Sequence, residues 1–144
     1  MNETITHFIT NQKIATVCCV DGNGLPYCFH CFYAFNEQEG LLYYKSSKEV
    51  YHTKLMLEKP PVAGTIQQDK LNTLAIQGIQ FEGNLLPQDH ALTKGASRRY
   101  HTRYPYALAM SGDVFTIQLS KIKMTDNSQG FGKKITWENT DPVR

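Results

Sequence analysis

The run Ile14-Ala15-Thr16-Val17-Cys18-Cys19-Val20-Asp21-Gly22-Asn23-Gly24-Leu25-Pro26 decides the fold class. Its first seven residues are rich in β-branched side chains and apolar at both alternating positions, which predicts a buried strand. Asp21-Gly22-Asn23-Gly24 is a turn, because Gly and Asn tolerate the positive φ that tight hairpins need. A second strand runs from Leu25-Pro26 to Phe35, so residues 14–35 read as an antiparallel hairpin.

The same punctuation continues along the chain. Upstream, Ile5, Phe8 and Ile9 fall at helical spacing within Glu3 to Lys13. Downstream, residues 36–40 form a polar turn and Leu41-Leu42-Tyr43-Tyr44 a third strand. Ser46-Ser47-Lys48-Glu49 has the form of a capping box and predicts a helix that Pro60-Pro61 ends. Val62 to Ile66 is a strand, and Leu74, Ile76, Ile79 and Phe81 predict a long one ending near Gly83 or Leu86. Gly78 within it predicts a bulge or a close contact. Residues 88–103 read as a helix despite Gly95, and Pro105 ends it. Phe115, Ile117 and Leu119 alternate with Thr116, Gln118 and Ser120 as a half-buried strand, and residues 133–138 as a short last one. Consecutive strands joined by short turns argue antiparallel pairing, and hence a small closed or nearly closed β-barrel carrying three short helices outside.

Size and charge bound the function. A chain of 144 residues suits one domain, residues 1–144, with a frayed tail from about Asn139. A net charge of +2, from 15 basic against 13 acidic residues, is too mild for a nucleic-acid coat or a polybasic membrane anchor. No apolar run approaches the roughly 20 residues of a membrane helix. The first residues lack the basic flank and apolar stretch of a signal peptide, so the expected address is the cytoplasm and the four cysteines are expected to be reduced.

Three segments carry candidate chemistry. Cys28-x-x-Cys31 beside His30 suggests a metal, but residues three apart on a strand face opposite ways, so no metal site is expected. Cys28 and His30 share a strand face, which leaves a Cys–His dyad open. In Lys45-Ser46-Ser47-Lys48-Glu49-Val50-Tyr51-His52, a helix start with two serines, Lys45 ahead of it and Lys48 and His52 on one face gathers donors where a phosphate would bind. The alternative is a solvated helix start whose serines only cap. Arg98-Arg99-Tyr100-His101-Thr102-Arg103-Tyr104 interleaves bases and aromatics as a nucleic-acid module would, although an exposed helix face with its aromatics folded inward suits the modest charge better. Finally, Gly130 and Gly132 precede Lys133, Lys134 and Trp137, the pattern of a backbone, cations and aromatic wall around a planar cofactor, or of a turn and a core tryptophan.

The order of segments, with Tyr51-His52, Val62-Ala63-Gly64-Thr65, Gln77-Gly78-Ile79-Gln80-Phe81-Glu82-Gly83 and Thr125-Asp126-Asn127…Gly130-Phe131-Gly132-Lys133-Lys134…Trp137, resembles the pyridoxamine 5′-phosphate oxidase-like, FMN-binding split-barrel superfamily, in a small bacterial branch of it. The resemblance spans roughly residues 5–138. It implies a mainly β, six-stranded antiparallel split barrel of Greek-key type. It also implies a homodimer with FMN at the subunit interface, its phosphate near the third strand and the following helix. Where the oxidases carry Thr-x-x-x-Ser-Arg-Lys for phosphate, this chain has Ser46, Val50, Tyr51 and His52 in the respective places.

The implied phosphate residues are Lys45, Ser46, Ser47 and His52. Phe29, His30 and Cys31 would border the ring, with Gln80, Asn127, Lys133 and Trp137 for the ring or the partner subunit's contribution. The Arg-x-His-x-Arg type of stretch that serves vitamin B6 substrates is replaced by Gly130-Phe131-Gly132-Lys133-Lys134, which argues against pyridoxamine phosphate oxidation. The expected activity is therefore FMN-dependent oxidoreduction of an unidentified small molecule. The alternatives are a non-enzymatic binding or storage protein for flavin, haem (through His30 or His52) or a deazaflavin, and, third, the nucleic-acid module.

Overall fold

The computed structural model describes residues 1–142. Its elements are α1 (Glu3–Asn11), β1 (Ile14–Val20), β2 (Pro26–Asn36), β3 (Leu41–Ser46), α2 (Tyr51–Glu58), β4 (Pro61–Gln67), β5 (Gln77–Leu85), α3 (Ala96–Arg103), β6 (Asp113–Asp126) and β7 (Lys134–Glu138). One antiparallel sheet runs in the order β3-β2-β1-β4-β5-β6-β7, and β3 also pairs with β6. That extra pairing closes six strands into a barrel and leaves β7 on the outside edge of β6. The expected closed, helix-decorated β-barrel is what forms.

The founding hairpin forms as its turn chemistry dictates. The Asp21 carboxylate accepts from the amides of Asn23 and Leu25 at 2.8 and 2.9 Å, and Gly24 takes φ 79°. Register then pairs Thr16 with His30 and Cys18 with Cys28. The strand is not buried on both faces, however. Ala15, Val17 and Cys19 point into the barrel, while Ile14 and Thr16 are exposed and Cys18 and Val20 half-buried on the outward face.

Two clusters make the core. The barrel interior packs Ile5, Phe8 and Ile9 of α1 against Val17, Tyr33, Phe81, Phe115 and their neighbours. A second cluster lies outside the barrel wall, where Tyr100 of α3 and Tyr104 just after it pack on Ala34, Leu41 and Tyr43. This second layer corrects the half-buried reading of residues 115–120. Residues 115–119 are buried on both faces, including Thr116 and Gln118, because the strand separates the two clusters. Gly64 in β4 leaves room for its neighbours on the flanking strands: a Cβ there would fall on the Phe81 ring of β5 and the Thr16 carbonyl oxygen of β1.

Four further boundaries differ from expectation. The helix after β3 begins at Tyr51 with Val50 as an extended N-cap that makes no side-chain cap bond, so the predicted capping box does not form. The β5 strand begins only at Gln77, leaving Leu74 and Ile76 exposed. The irregularity in β5 falls between Glu82 and Gly83 rather than at Gly78, whose register is regular. Residues 88–103 are split: a 3-10 turn spans Ala91–Thr93, Gly95 takes φ 83°, and α3 starts at Ala96. At the C-terminal end, Asn139 still donates from its backbone to the Ser120 carbonyl at 2.8 Å. The rest of the expected tail runs on to residues 143 and 144, which lie outside the described residues.

Candidate functional site

A cavity of about 300 Å3 opens on the flank of the barrel, between β2, β3, the start of α2, α3 and the 3-10 turn Pro105–Ala109. Strand alternation delivers its wall. Phe29 and Cys31 face inward on β2, His30 and Phe32 face outward at its rim, and β3 contributes Tyr44, Lys45 and Ser46. Tyr100, Tyr106 and Met110 complete it.

His52 lies at the cavity's polar end. Its ring stacks on Phe29 with centroids 3.6 Å apart and planes 9° apart. Its Nε2 is 2.9 Å from the Ser46 hydroxyl oxygen. Partial burial lowers the pKa of His52 below the usual imidazole value, so the ring is neutral at neutral pH. Ser46 and His52 thus form a paired donor and acceptor on an aromatic floor.

Lys45 lines the same cavity, and its ammonium is already engaged. It donates to the Ala107 carbonyl at 2.7 Å and meets His101 Nε2 at 3.0 Å. An ammonium only donates, so Nε2 of His101 accepts, and the ring proton sits on Nδ1, 2.8 Å from the Ser97 carbonyl. This chain ties the 3-10 turn and α3 to β3. Burial pushes the Cys31 thiol up to about 12, which suits an apolar wall position.

Six of the residues read from the sequence therefore meet in one place: Phe29, His30, Cys31, Lys45, Ser46 and His52. Ser47 does not join them. Its hydroxyl accepts from the Glu49 amide and its carbonyl from Thr53 Oγ1, which shapes the turn before α2. Lys48 lies before the helix, 3.8 Å from the Asp113 carboxylate and not on a face shared with His52. Gln80 and Trp137 line a separate cavity of about 450 Å3 among β4, β5, β6 and β7, and Trp137 packs against the barrel core. Asn127 and Lys133 serve their own loop, where Asn127 Oδ1 accepts from Gly132 N and Lys133 Nζ donates to Gln129.

Sequence reading missed Tyr44, Tyr100, Tyr106 and Met110 as cavity walls. The signal for Tyr100 was the aromatic density of residues 98–104, which folds inward: Tyr100 and Tyr104 are buried and Arg103 is pinned to the Gln12 carbonyl. Cys28 and His30 do share the outward face of β2, while Cys31 packs toward the core. Among the described residues, no group of three or more His, Cys, Asp or Glu side chains could hold a metal ion, and no helix is long and apolar enough to cross a membrane.

A closed six-stranded antiparallel barrel with an aromatic-walled flank cavity defines a split-barrel protein. The chain belongs to the UPF0306 family: it is 34% identical over 139 residues to UPF0306 proteins of Yersinia pseudotuberculosis and Yersinia pestis, covering 96% of this chain and 94% of theirs. No family model matches it. The fold is shared with a haem-binding protein from Mycobacterium smegmatis (TM-score 0.75, 12% identity), which matches 91% of this chain and is itself spanned to 55%. It is also shared with a FAD-binding protein from Mesorhizobium loti (TM-score 0.67, 16% identity, 86% of this chain and 94% of that one). The haem storage protein HutZ from Vibrio cholerae is a further example (TM-score 0.62, 18% identity, 81% and 86%).

Proposed function

We propose that this chain is a member of the pyridoxamine 5′-phosphate oxidase-like superfamily that binds FMN in the β2–β3–α2 cavity and oxidises or reduces a small organic molecule in the cytoplasm. The observation that carries the proposal is the His52–Phe29 stack beside the Ser46 hydroxyl. It offers a flat aromatic surface for a planar ring next to polar donors for a phosphate. Solved proteins of this fold include ones named for binding FAD or haem, which supports a flat cofactor. FMN would supply the redox chemistry. The chain's part is to orient it, with Ser46, His52 and the third N–H of the turn-holding Lys45 serving the phosphate and Phe29, His30 and Cys31 serving the ring.

The cavity argues for a second copy. At about 300 Å3 it sits at the bottom of the roughly 300–1,000 Å3 usual for small-molecule sites, which suits a site shared between two copies. Tyr106, Leu108 and Met110 beside its mouth are 61%, 69% and 61% exposed. A homodimer that covers them would close the site.

The test is the visible spectrum of the purified protein, followed by release of any chromophore and anaerobic addition of a reduced nicotinamide. A flavin spectrum that bleaches on reduction supports the proposal. A colourless protein that does not take up added FMN overturns it. A Soret band would favour the second reading, haem binding or storage, through His30 or His52 of the same cavity. A flavin spectrum that no donor bleaches would favour storage over turnover.

A further inference from the structure

Cys18 and Cys28 lie directly opposite each other on the outward face of the β1–β2 hairpin. Their sulfur atoms are 2.7 Å apart, and both are free thiols. A formed disulfide would hold them at about 2.05 Å. Closing the bond therefore asks for a small side-chain movement and no change of register. The other two cysteines are placed differently. Cys19 is buried on the inner face of β1, and Cys31 packs against the barrel core.

We propose that Cys18 and Cys28 form a dithiol site that exchanges with low-molecular-weight disulfides and closes reversibly into a cross-strand disulfide. This site does not depend on the cofactor reading, because neither cysteine lines the flank cavity.

The two thiols differ in a way that orders the steps. Cys28 is exposed and Cys18 half-buried. Burial, and then the hydrogen bond with Cys28, raise the Cys18 thiol to about 11, and Cys28 is the more exposed sulfur, open to attack on a small disulfide. Cys28 loses its proton and its thiolate attacks one sulfur of the small disulfide, expelling one small thiolate and leaving a mixed disulfide on Cys28. The Cys28 proton is carried off by that thiolate. Cys18 then gives up its proton and attacks Cys28 Sγ, expelling the second small thiolate, which takes that proton. The protein loses two electrons and two protons, and one small disulfide becomes two small thiols. In a reducing compartment the reverse exchange reopens the pair, as is usual of redox-sensing cytosolic thiols.

The experiment incubates the full chain with glutathione disulfide, then counts free thiols and maps disulfide-linked peptides without reduction. The expected count falls from four to two, with a single link joining the peptides of Cys18 and Cys28 in a monomer-sized chain. Cys18→Ser should stop at the mixed disulfide and keep one glutathione on Cys28. Cys28→Ser should react far more slowly. Four free thiols after incubation, a link to Cys19 or Cys31, or covalent dimers would each overturn the proposal.

Discussion

The imidazole of His52 lies flat on the ring of Phe29, with centroids 3.6 Å and planes 9° apart. This contact joins α2 to β2 and makes the floor of the flank cavity. Because burial lowers the His52 pKa, the folded chain binds that proton at lower pH than the unfolded chain, whose histidine titrates near 6.5. Between those two values the unfolded state holds more protons, so stability falls as pH drops through 6.5. Urea unfolding above and below that pH should show the loss. His52→Gln should make it smaller.

The same shift gives cofactor binding a sign. A bound phosphate favours the protonated imidazole, so binding takes up a proton at His52. Affinity for FMN should rise as pH falls toward 6.5, and His52→Gln should flatten the dependence. Titrations in the presence of the variant and the parent chain separate this from the titration of the phosphate itself.

Lys45 should act through the turn it holds. Its bonds to Ala107 O and His101 fix the 3-10 segment that walls the cavity. Lys45→Met should cost about 1–3 kcal/mol of stability, as loss of a charged hydrogen bond does. The amide of Met110, which donates to Ala107 O, should then exchange faster by hydrogen exchange.

Gly64→Ala should destabilise the barrel by roughly 1–3 kcal/mol, the usual cost of overpacking. The added methyl would meet the Phe81 ring and the Thr16 carbonyl, and backbone on one side cannot move without breaking the β1–β4 pairing. Gly78→Ala is the control: its nearest neighbour would be Ile66 O at 3.6 Å, an ordinary contact. Thermal melts of the two variants should differ clearly.

Asp126 gives an acid limb. Burial alone would raise its pKa, but hydrogen bonds from Ser128 and Gln77, with the Lys133 charge, outweigh it and hold the carboxyl below its usual value. The stability it contributes is present above pH 3.8 and is lost as pH falls through the folded pKa. Asp126→Asn should remove that part of the acid unfolding curve.

Local chemistry explains what could be read from the sequence. The first hairpin was legible because β-branched residues flank a turn that Asp21 and Gly24 dictate. The start of α2 was not, since the Ser46 hydroxyl that would cap is taken by His52 and the helix begins only at Tyr51. Burial of Thr116 and Gln118 follows from the tertiary packing of α3, which no alternation of polar and apolar residues encodes. The cavity was legible where its residues sit together on β2, β3 and α2. Tyr106 and Met110 reach it only through the fold, and Trp137 and Gln80 are carried to another face by strand order. The opposition of Cys18 and Cys28 needed the register of the hairpin, which follows from its turn.

The direct measurement is a fluorescence titration of FMN with the purified chain and with His52→Ala. The account predicts saturable quenching, one flavin per protomer, and an affinity roughly tenfold lower in the variant, the effect of losing one hydrogen bond to a charged group. Unquenched FMN, or equal affinity in both proteins, would contradict it.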